Sequence, residues 1–365
     1  MSVRLFFATD VHGSEACWRK FINSGKHYEA DVLILGGDMT GKAVVPIIDN
    51  GGGKYTFHMQ DVKRDIDGAD ALALDKRAIR DHGYYPVIMT PEERNEFSSD
   101  PDKLDELFHA QMRQTVEEWV AWADERLAGG SMRCIVCPGN DDRPDIDELL
   151  ATSTQIELGE GNVIDLPEGY QLASSGWTNL TPWDTAREED EPLLKTRIEG
   201  IVAQATVDPD RLVMGLHAPP YDTQLDVAPK INWDTPREEE EPALKARIEG
   251  IVAQATVSPD RLVLGLHCPP YDTQLDVAPK IDWETLTVKG QDVAHVGSTA
   301  VKEVIEQVQP ILSLHGHIHE SRAAVRIGRT LAINPGSSYV EGTLSGCIIE
   351  LDGKKKLKRY RLTMG

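Results

Sequence analysis

The stretch VRLFFATDVHG at residues 3–13 decides how the rest of the chain reads. Its apolar run has the length and the aromatic and branched character of a buried strand, and it stops at a turn-forming cluster. That cluster sets a carboxylate, Asp10, and an imidazole, His12, one residue apart at the strand exit.

The same habit recurs outward from there. DVLILGG, residues 31–37, runs into Asp38; CIVCPG, residues 134–139, runs into Asn140, Asp141 and Asp142; PILSL, residues 310–314, runs into His315, Gly316, His317, Ile318 and His319. Helical spacing separates several of these runs. Residues 103–127 place Leu104, Leu107, Phe108, Met112, Val116, Trp119 and Ala123 on one stripe, which reads as core packing. Strands alternating with helices predict an α/β protein whose site gathers at the carboxyl ends of its strands.

The middle of the chain holds a tandem duplication. Residues 184–233 and 234–283 repeat one another at 42 of 50 positions. Solenoid units diverge more and come in threes or more, so this is a duplication inside an existing domain. Each copy opens on a Thr-x-x-Glu capping-box pattern, at Thr185 and Thr235, and goes on with helical spacing (Leu194, Ile198, Ile201, Val202, Ala205). A short strand follows in each, ending at His217 or His267, and one residue later Pro-Pro-Tyr-Asp-Thr forces the chain out of the sheet. Only one of the two histidines can serve a single site. Copy two has Pro236 where a helix starts and runs directly into the later motifs, which favours His267. Copy one is then expected as an extra helix and strand on the sandwich edge or in a homodimer interface.

About ninety residues separate Asp38 from Cys134, more than a crossover uses. With a hairpin pattern around Asn50 and helical patterns at 69–80 and 103–127, residues 41–130 read as a cap over the strand ends. Near the carboxyl end, 323–330, 331–338 and 346–363 read as consecutive antiparallel strands, with the basic cluster at 354–359 on a solvated edge rather than at a polyanion site.

Composition bounds the class of function. The chain has 365 residues, and 38 Lys plus Arg against 60 Asp plus Glu give a net charge of −22, which repels a phosphate polymer, so no nucleic-acid polymer is expected as a partner. Apolar residues at 40% and charged residues at 27% fit a folded globular chain. No apolar run reaches the ~20 residues of a membrane span, and the opening decapeptide lacks the flanks of a signal peptide. Five scattered cysteines make no disulfide framework; Cys134 and Cys137 face opposite sides of one strand and read as buried thiols. A cytoplasmic location is expected.

Strand exits bearing carboxylate, amide and imidazole suit divalent transition metals, with manganese or iron favoured and zinc an alternative. The order decides the family. Asp-x-His, Gly-Gly-Asp, Gly-Asn-Asp-Asp, a strand-end His and Gly-His-x-His resemble the calcineurin-like metallophosphoesterase superfamily from Val3 to Ser337. GWTNLTPWDT, HCPPYDTQLD, HVGSTAV and HGHIHES are similar to its Icc-related branch of phosphoesterases. The resemblance implies one domain over 1–365, a four-layer α-β-β-α sandwich, and two metal ions. It implies Asp10, His12 and His319 on the first ion, Asp38 as a bridge, and Asn140, His317 and His267 (or His217) on the second. It further implies hydrolysis of a small phosphodiester, or a monoester, by hydroxide formed between the ions. The chain departs from the family where Asp141 replaces a histidine that assists the leaving group. His295 and His58 are candidates to replace that acid, each set against a purely structural role. Asp142 is expected to orient a ligand histidine. His27, His82 and His109 read as packing or surface residues. Trp177, Trp183, Trp233 and Trp283 read as packing against the sheet, or as a floor for a substrate ring. The rival reading is a protein-binding scaffold that keeps this fold without catalysis.

Overall fold

The computed structural model describes residues 2–59, 62–177, 185–189, 193, 196–197, 200–201, 204, 206, 212–216, 263–266, 277–282, 287–295, 312–316, 319, 322–353 and 357–365. Among them the chain is a mixed α/β protein with several sheets.

The opening strand, β1 (Ser2–Ala8), sits inside a six-stranded sheet between β2 (Val32–Leu35) and β18 (Ser345–Asp352). The sheet continues through β7 (Arg133–Val136) to β8 (Ile156–Leu158) on one side and ends at β19 (Leu357–Met364) on the other. Alternation along β1 sorts its side chains. Phe6 and Ala8 join Trp18, Phe21 and Ile22 in one buried cluster, on the face covered by α1 (Glu15–Tyr28), α4 (Pro101–Leu127) and α5 (Ile146–Leu150). Val3, Leu5 and Phe7 join a second cluster that holds Leu312, Leu314, Leu331 and Ile333 of the other large sheet. Cys134 lies in the first cluster and Cys137 in the second, so the two thiols do point to opposite faces.

That other sheet has seven strands. Its order is β16 (Ala323–Ile327), β17 (Thr330–Asn334), β15 (Leu312–Leu314), β12 (Val263–Leu266), β11 (Leu212–Leu216), β10 (Tyr170–Ser175) and β9 (Val163–Leu166). The two duplicated strands lie side by side and parallel, and each paired residue meets its own duplicate: Val213 with Val263, Gly215 with Gly265, Leu216 with Leu266. Copy one is therefore not an edge addition. Its strand hydrogen-bonds on both sides, to β10 and to β12, and the sheet edge is closed by β9, which runs antiparallel to β10. A repeated helix-strand unit repeats its own crossover, so the second strand is laid next to the first and widens the sheet from within. Leu194, Ile198 and Val202 lie outside the described residues, while Ile201 is buried.

Two further readings change. The carboxyl-terminal strands are two hairpins in two sheets: β16 pairs with β17 in the seven-stranded sheet, and β18 pairs with β19 and with β1 in the six-stranded one. The expected cap over 41–130 divides. Its sheet, ordered β5 (Val62–Asp67), β4 (Lys54–Met59), β3 (Val44–Asp49) and β6 (Tyr85–Met89), has a separate small core of Val45, Ile47, Phe57, Ile66 and Ile79, the last from α2 (Ala69–Asp81). The buried face of α4, by contrast, belongs to the main helix layer, where Trp119 stacks on Trp18 at 5.0 Å. Between them α3 (Pro91–Ser99) starts on a capping box of Thr90 and Glu93. The remaining pair, β13 (Val277–Asp282) and β14 (Thr287–His295), forms a separate hairpin.

Burial raises the pKa of Cys17 to about 11 and those of Cys137 and Cys347 to about 12, and it pushes Cys134 up as well. Thiolate is the reactive form. Native protein is therefore expected to titrate at most one thiol per chain with a disulfide reagent, against five in guanidinium. Two or more fast thiols in the native state would contradict this packing.

Candidate metal centre

The site is built where β1, β2, β7 and β15 end. After β1 and β2 the chain runs as two loops tied together: the Asp10 amide donates to Gly37 O, His12 N to Asp38 O and Gly13 N to Met39 O, at 3.1, 2.9 and 2.8 Å. Asp10, His12 and Asp38 all adopt left-handed backbone, with φ of 53°, 39° and 51°. They are three of the five such non-glycine residues among the described ones. Each such position costs of the order of 1–3 kcal/mol and persists only where its surroundings over-determine it. Here the strained turns aim three ligand-type side chains inward.

Those side chains meet. His12 Nε2 lies 3.7 Å from Asp10 Oδ1 and 3.9 Å from Asp38 Oδ2, and His319 Nε2 lies 3.6 Å from Asp10 Oδ1. Two groups of donor atoms each fit within 4.8 Å: Asp10, His12 and His319, and His12, Asp38 and Asp141. Asp10 and His12 are each 2% exposed. Burial, reinforced by the Lys42 charge, lowers the His12 pKa to about 3, so the ring is neutral at physiological pH, the form that binds metals. Its buried Nδ1 has no hydrogen-bond partner among the described residues. Two buried carboxylates, a neutral imidazole and a second histidine make a donor set that fits a divalent transition cation.

Asn140 ends the third strand-exit loop. Its Nδ2 donates to Thr185 Oγ1 at 3.1 Å, and the Asp141 amide reaches Asp38 Oδ1 at 3.4 Å. Asp141 faces His12 Nδ1 at 3.9 Å and pairs with Lys42 Nζ at 2.8 Å. Burial and the neighbouring Asp38 charge lift its pKa to about 6 in spite of Lys42.

Among the described residues Asp142 contacts no histidine. Its fully buried carboxylate accepts from Gly139 N, Met39 N, Thr40 N and Thr40 Oγ1 at 2.7–3.0 Å, which ties the Asp38 loop to the Asn140 loop. Two runs of backbone N–H that have just left their strands need an acceptor, and a carboxylate between them satisfies both. His58 is exposed on β4 opposite Lys63. His295 ends β14 opposite Val277, and its side chain lies outside the described residues, as do His217, His267 and His317. His27 packs edge-on against Tyr28, His82 caps α2 on Ala78 O, and His109 binds Asp145. Trp177 carries the Arg197 guanidinium 4.1 Å above its ring; Trp183, Trp233 and Trp283 lie outside the described residues.

Three contributors escape a reading of the sequence alone. Lys42 brings a cation to the site rim, half-exposed; partial burial disfavours its charge, but Asp141 and Asp38 outweigh that and keep it protonated. Tyr339 sets its ring 4.8 Å from that of His12 and edge-on to His319. Ser337 donates Oγ to Asp10 O and its amide to His319 O, joining the exits of the two large sheets. The Asn334-Pro335-Gly336-Ser337 turn is a usable signal for Ser337; nothing local marks Lys42 or Tyr339.

No family model matches the chain, and no curated protein matches it. Among solved structures, one is similar at 13% identity over 100% of this chain and 99% of that chain, with a TM-score of 0.49. The Thermus thermophilus protein TT1561 is similar at 11% identity over 100% and 99%, with a TM-score of 0.46. A 5'-nucleotidase precursor, also from Thermus thermophilus, is similar at 12% identity over 100% of this chain and 54% of that one, with a TM-score of 0.33. Backbones this distant leave the assignment to the site itself.

Proposed function

We propose that this chain is a metal-dependent phosphoesterase of the calcineurin-like metallophosphoesterase superfamily, acting on a small phosphodiester or phosphomonoester. The observation that carries the reading is the meeting of Asp10, His12, Asp38, Asp141 and His319, from four separate strand exits, in two donor groups that share His12. In this reading Asp10, His12 and His319 hold one cation, Asp38 is shared, and Asn140 with His317 and His267 completes a second position. Two divalent cations there would supply the Lewis acidity that ionises water near neutral pH and offsets charge at phosphorus. Manganese or iron suits the donor set, and zinc is the alternative.

The residues themselves divide the remaining work. Left-handed turns and Asp142 fix the ligand loops before substrate arrives. Lys42 stands at the rim, where its ammonium can neutralise a non-bridging phosphate oxygen. Asp141, in place of the family's histidine, is held against Lys42, so the pair occupies the leaving-group side. His267 is favoured over His217 because β12 hydrogen-bonds to β15, whose exit carries His319, whereas β11 lies one strand further away. The fold in this reading is a four-layer α-β-β-α sandwich.

The test is a panel of phosphodiesters and phosphomonoesters assayed with manganese, iron and zinc in turn, alongside carboxylic esters. Turnover of a phosphoester with at least one metal supports the proposal; turnover of carboxylic esters alone rejects it. Lys42→Met is expected to lower kcat/KM by roughly 10- to 100-fold, less than the loss of a fully buried donor, with metal content unchanged. Unaltered kcat/KM would remove Lys42 from the mechanism.

A further inference from the structure

The duplication leaves the chain with two copies of a segment that the site needs once, and copy one is bound to the site in a way its strand does not explain. Residues 185–189 lie against the Asn140 loop as a turn rather than as the expected helix start. Arg187 is fully buried there. Its guanidinium donates to Asp142 O and Arg143 O and forms a double contact with the Asp147 carboxylate at 2.6 and 2.9 Å, while its amide reaches Asn140 O at 3.3 Å. A buried guanidinium held by two carbonyls and a carboxylate is a fixed post, not a surface contact.

From that post a short relay runs to Asn140. Glu188 Oε1 accepts from Thr185 Oγ1 at 2.6 Å and from Thr185 N at 2.7 Å. The hydroxyl proton is thereby committed to Glu188, which leaves the Thr185 oxygen as an acceptor, and it takes Asn140 Nδ2 at 3.1 Å. A carboxamide has one donor end and one acceptor end. With Nδ2 turned to Thr185, Oδ1 becomes the opposite end, and oxygen is the atom a cation requires. The polarity of the relay, carboxylate to hydroxyl to amide, permits one amide orientation only.

We infer that Thr185 and Glu188 of copy one are positioning residues that hold the Asn140 amide oxygen in its ligating orientation, a duty that Thr235 and Glu238 of copy two do not share. The two copies then divide the work of one ancestral segment, with copy one anchoring the Asn140 loop and copy two laying its strand beside β15. This inference rests on the proposal that Asn140 ligates a cation, so the experiment separates the two.

Metal-stripped full-length protein is titrated calorimetrically with manganese chloride, and its melting temperature is recorded in chelator. Outer partners of a ligand are typically worth about 10- to 100-fold in metal affinity. Thr185→Val is expected to weaken one of two binding steps by about tenfold while leaving the melting temperature in chelator unchanged. Thr185→Ser restores the affinity, Glu188→Gln weakens the same step, and Thr235→Val changes neither step. Asn140→Ala is the reference and should abolish that step. If Asn140→Ala removes the step but Thr185→Val binds as tightly as the parent, the relay is overturned and the ligand reading stands. If Asn140→Ala leaves both steps intact, the ligand reading and the inference fall together. If Thr235→Val weakens the step as much as Thr185→Val does, the division between copies is wrong.

Discussion

Asp38→Ala is expected to cut phosphoester turnover by at least about a thousandfold, because merely losing an outer partner of a ligand already costs about 10- to 100-fold and Asp38 is proposed to serve both cations. The substitution should also lower bound metal below two ions per chain. It should not unfold the protein: the turn around Asp38 is held by backbone bonds from His12 and Gly13 and by the four donors on Asp142, none of which uses the Asp38 side chain. Metal content and activity measured on the folded variant decide it. Retention of both ions with full turnover would remove Asp38 from the centre.

Gly13→Ala is expected to be strongly destabilising. Gly13 has φ of +76°, and a β-carbon there would lie 2.5 Å from Gly41 Cα and 2.8 Å from Gly83 O. Both neighbours are backbone, so neither can swing aside. Left-handed backbone costs an alanine roughly 1–2 kcal/mol and forced overpacking roughly 1–3 more, or about 2–5 kcal/mol in all. Gly51 is the control: its φ is +80° but nothing lies within 4 Å of a β-carbon. Gly51→Ala should therefore lose only the conformational part, roughly 1–2 kcal/mol. Urea midpoints of the two variants compare directly, and equal losses would show that the close approach of Gly13, Gly41 and Gly83 is not tight. Gly83 belongs to the turn between α2 and β6, so this contact is also where the inserted sheet is fixed to the Asp10 loop.

What is legible in the sequence follows from how local each signal is. An apolar run that stops at Asp10-Val11-His12-Gly13 announces a strand and its exit within ten residues, and the same holds at Asp38 and Asn140. The structure indeed brings these exits together. The alternation that separates Cys134 from Cys137 is equally local. Sheet membership is not. Nothing near β18 says that it pairs with β1, more than three hundred residues away, so short antiparallel-looking runs read as partners of their sequence neighbours instead. The position of copy one is hidden for the same reason: a strand's neighbours are chosen by the sheet as a whole. Asp142 shows the limit within a motif. Its residue type matches an expected role, but four backbone and hydroxyl donors claim its carboxylate. Lys42 reaches the site from a loop and Tyr339 from a single short 3-10 turn, and neither segment carries a pattern of its own.

The decisive measurement for a two-cation phosphoesterase centre is phosphodiester turnover by metal-stripped protein as manganese is added back. The expected result is no turnover in the stripped protein and a return of activity that saturates near two equivalents per chain. Undiminished turnover without metal, or two bound ions with no turnover of any phosphoester under manganese, iron or zinc, would contradict it.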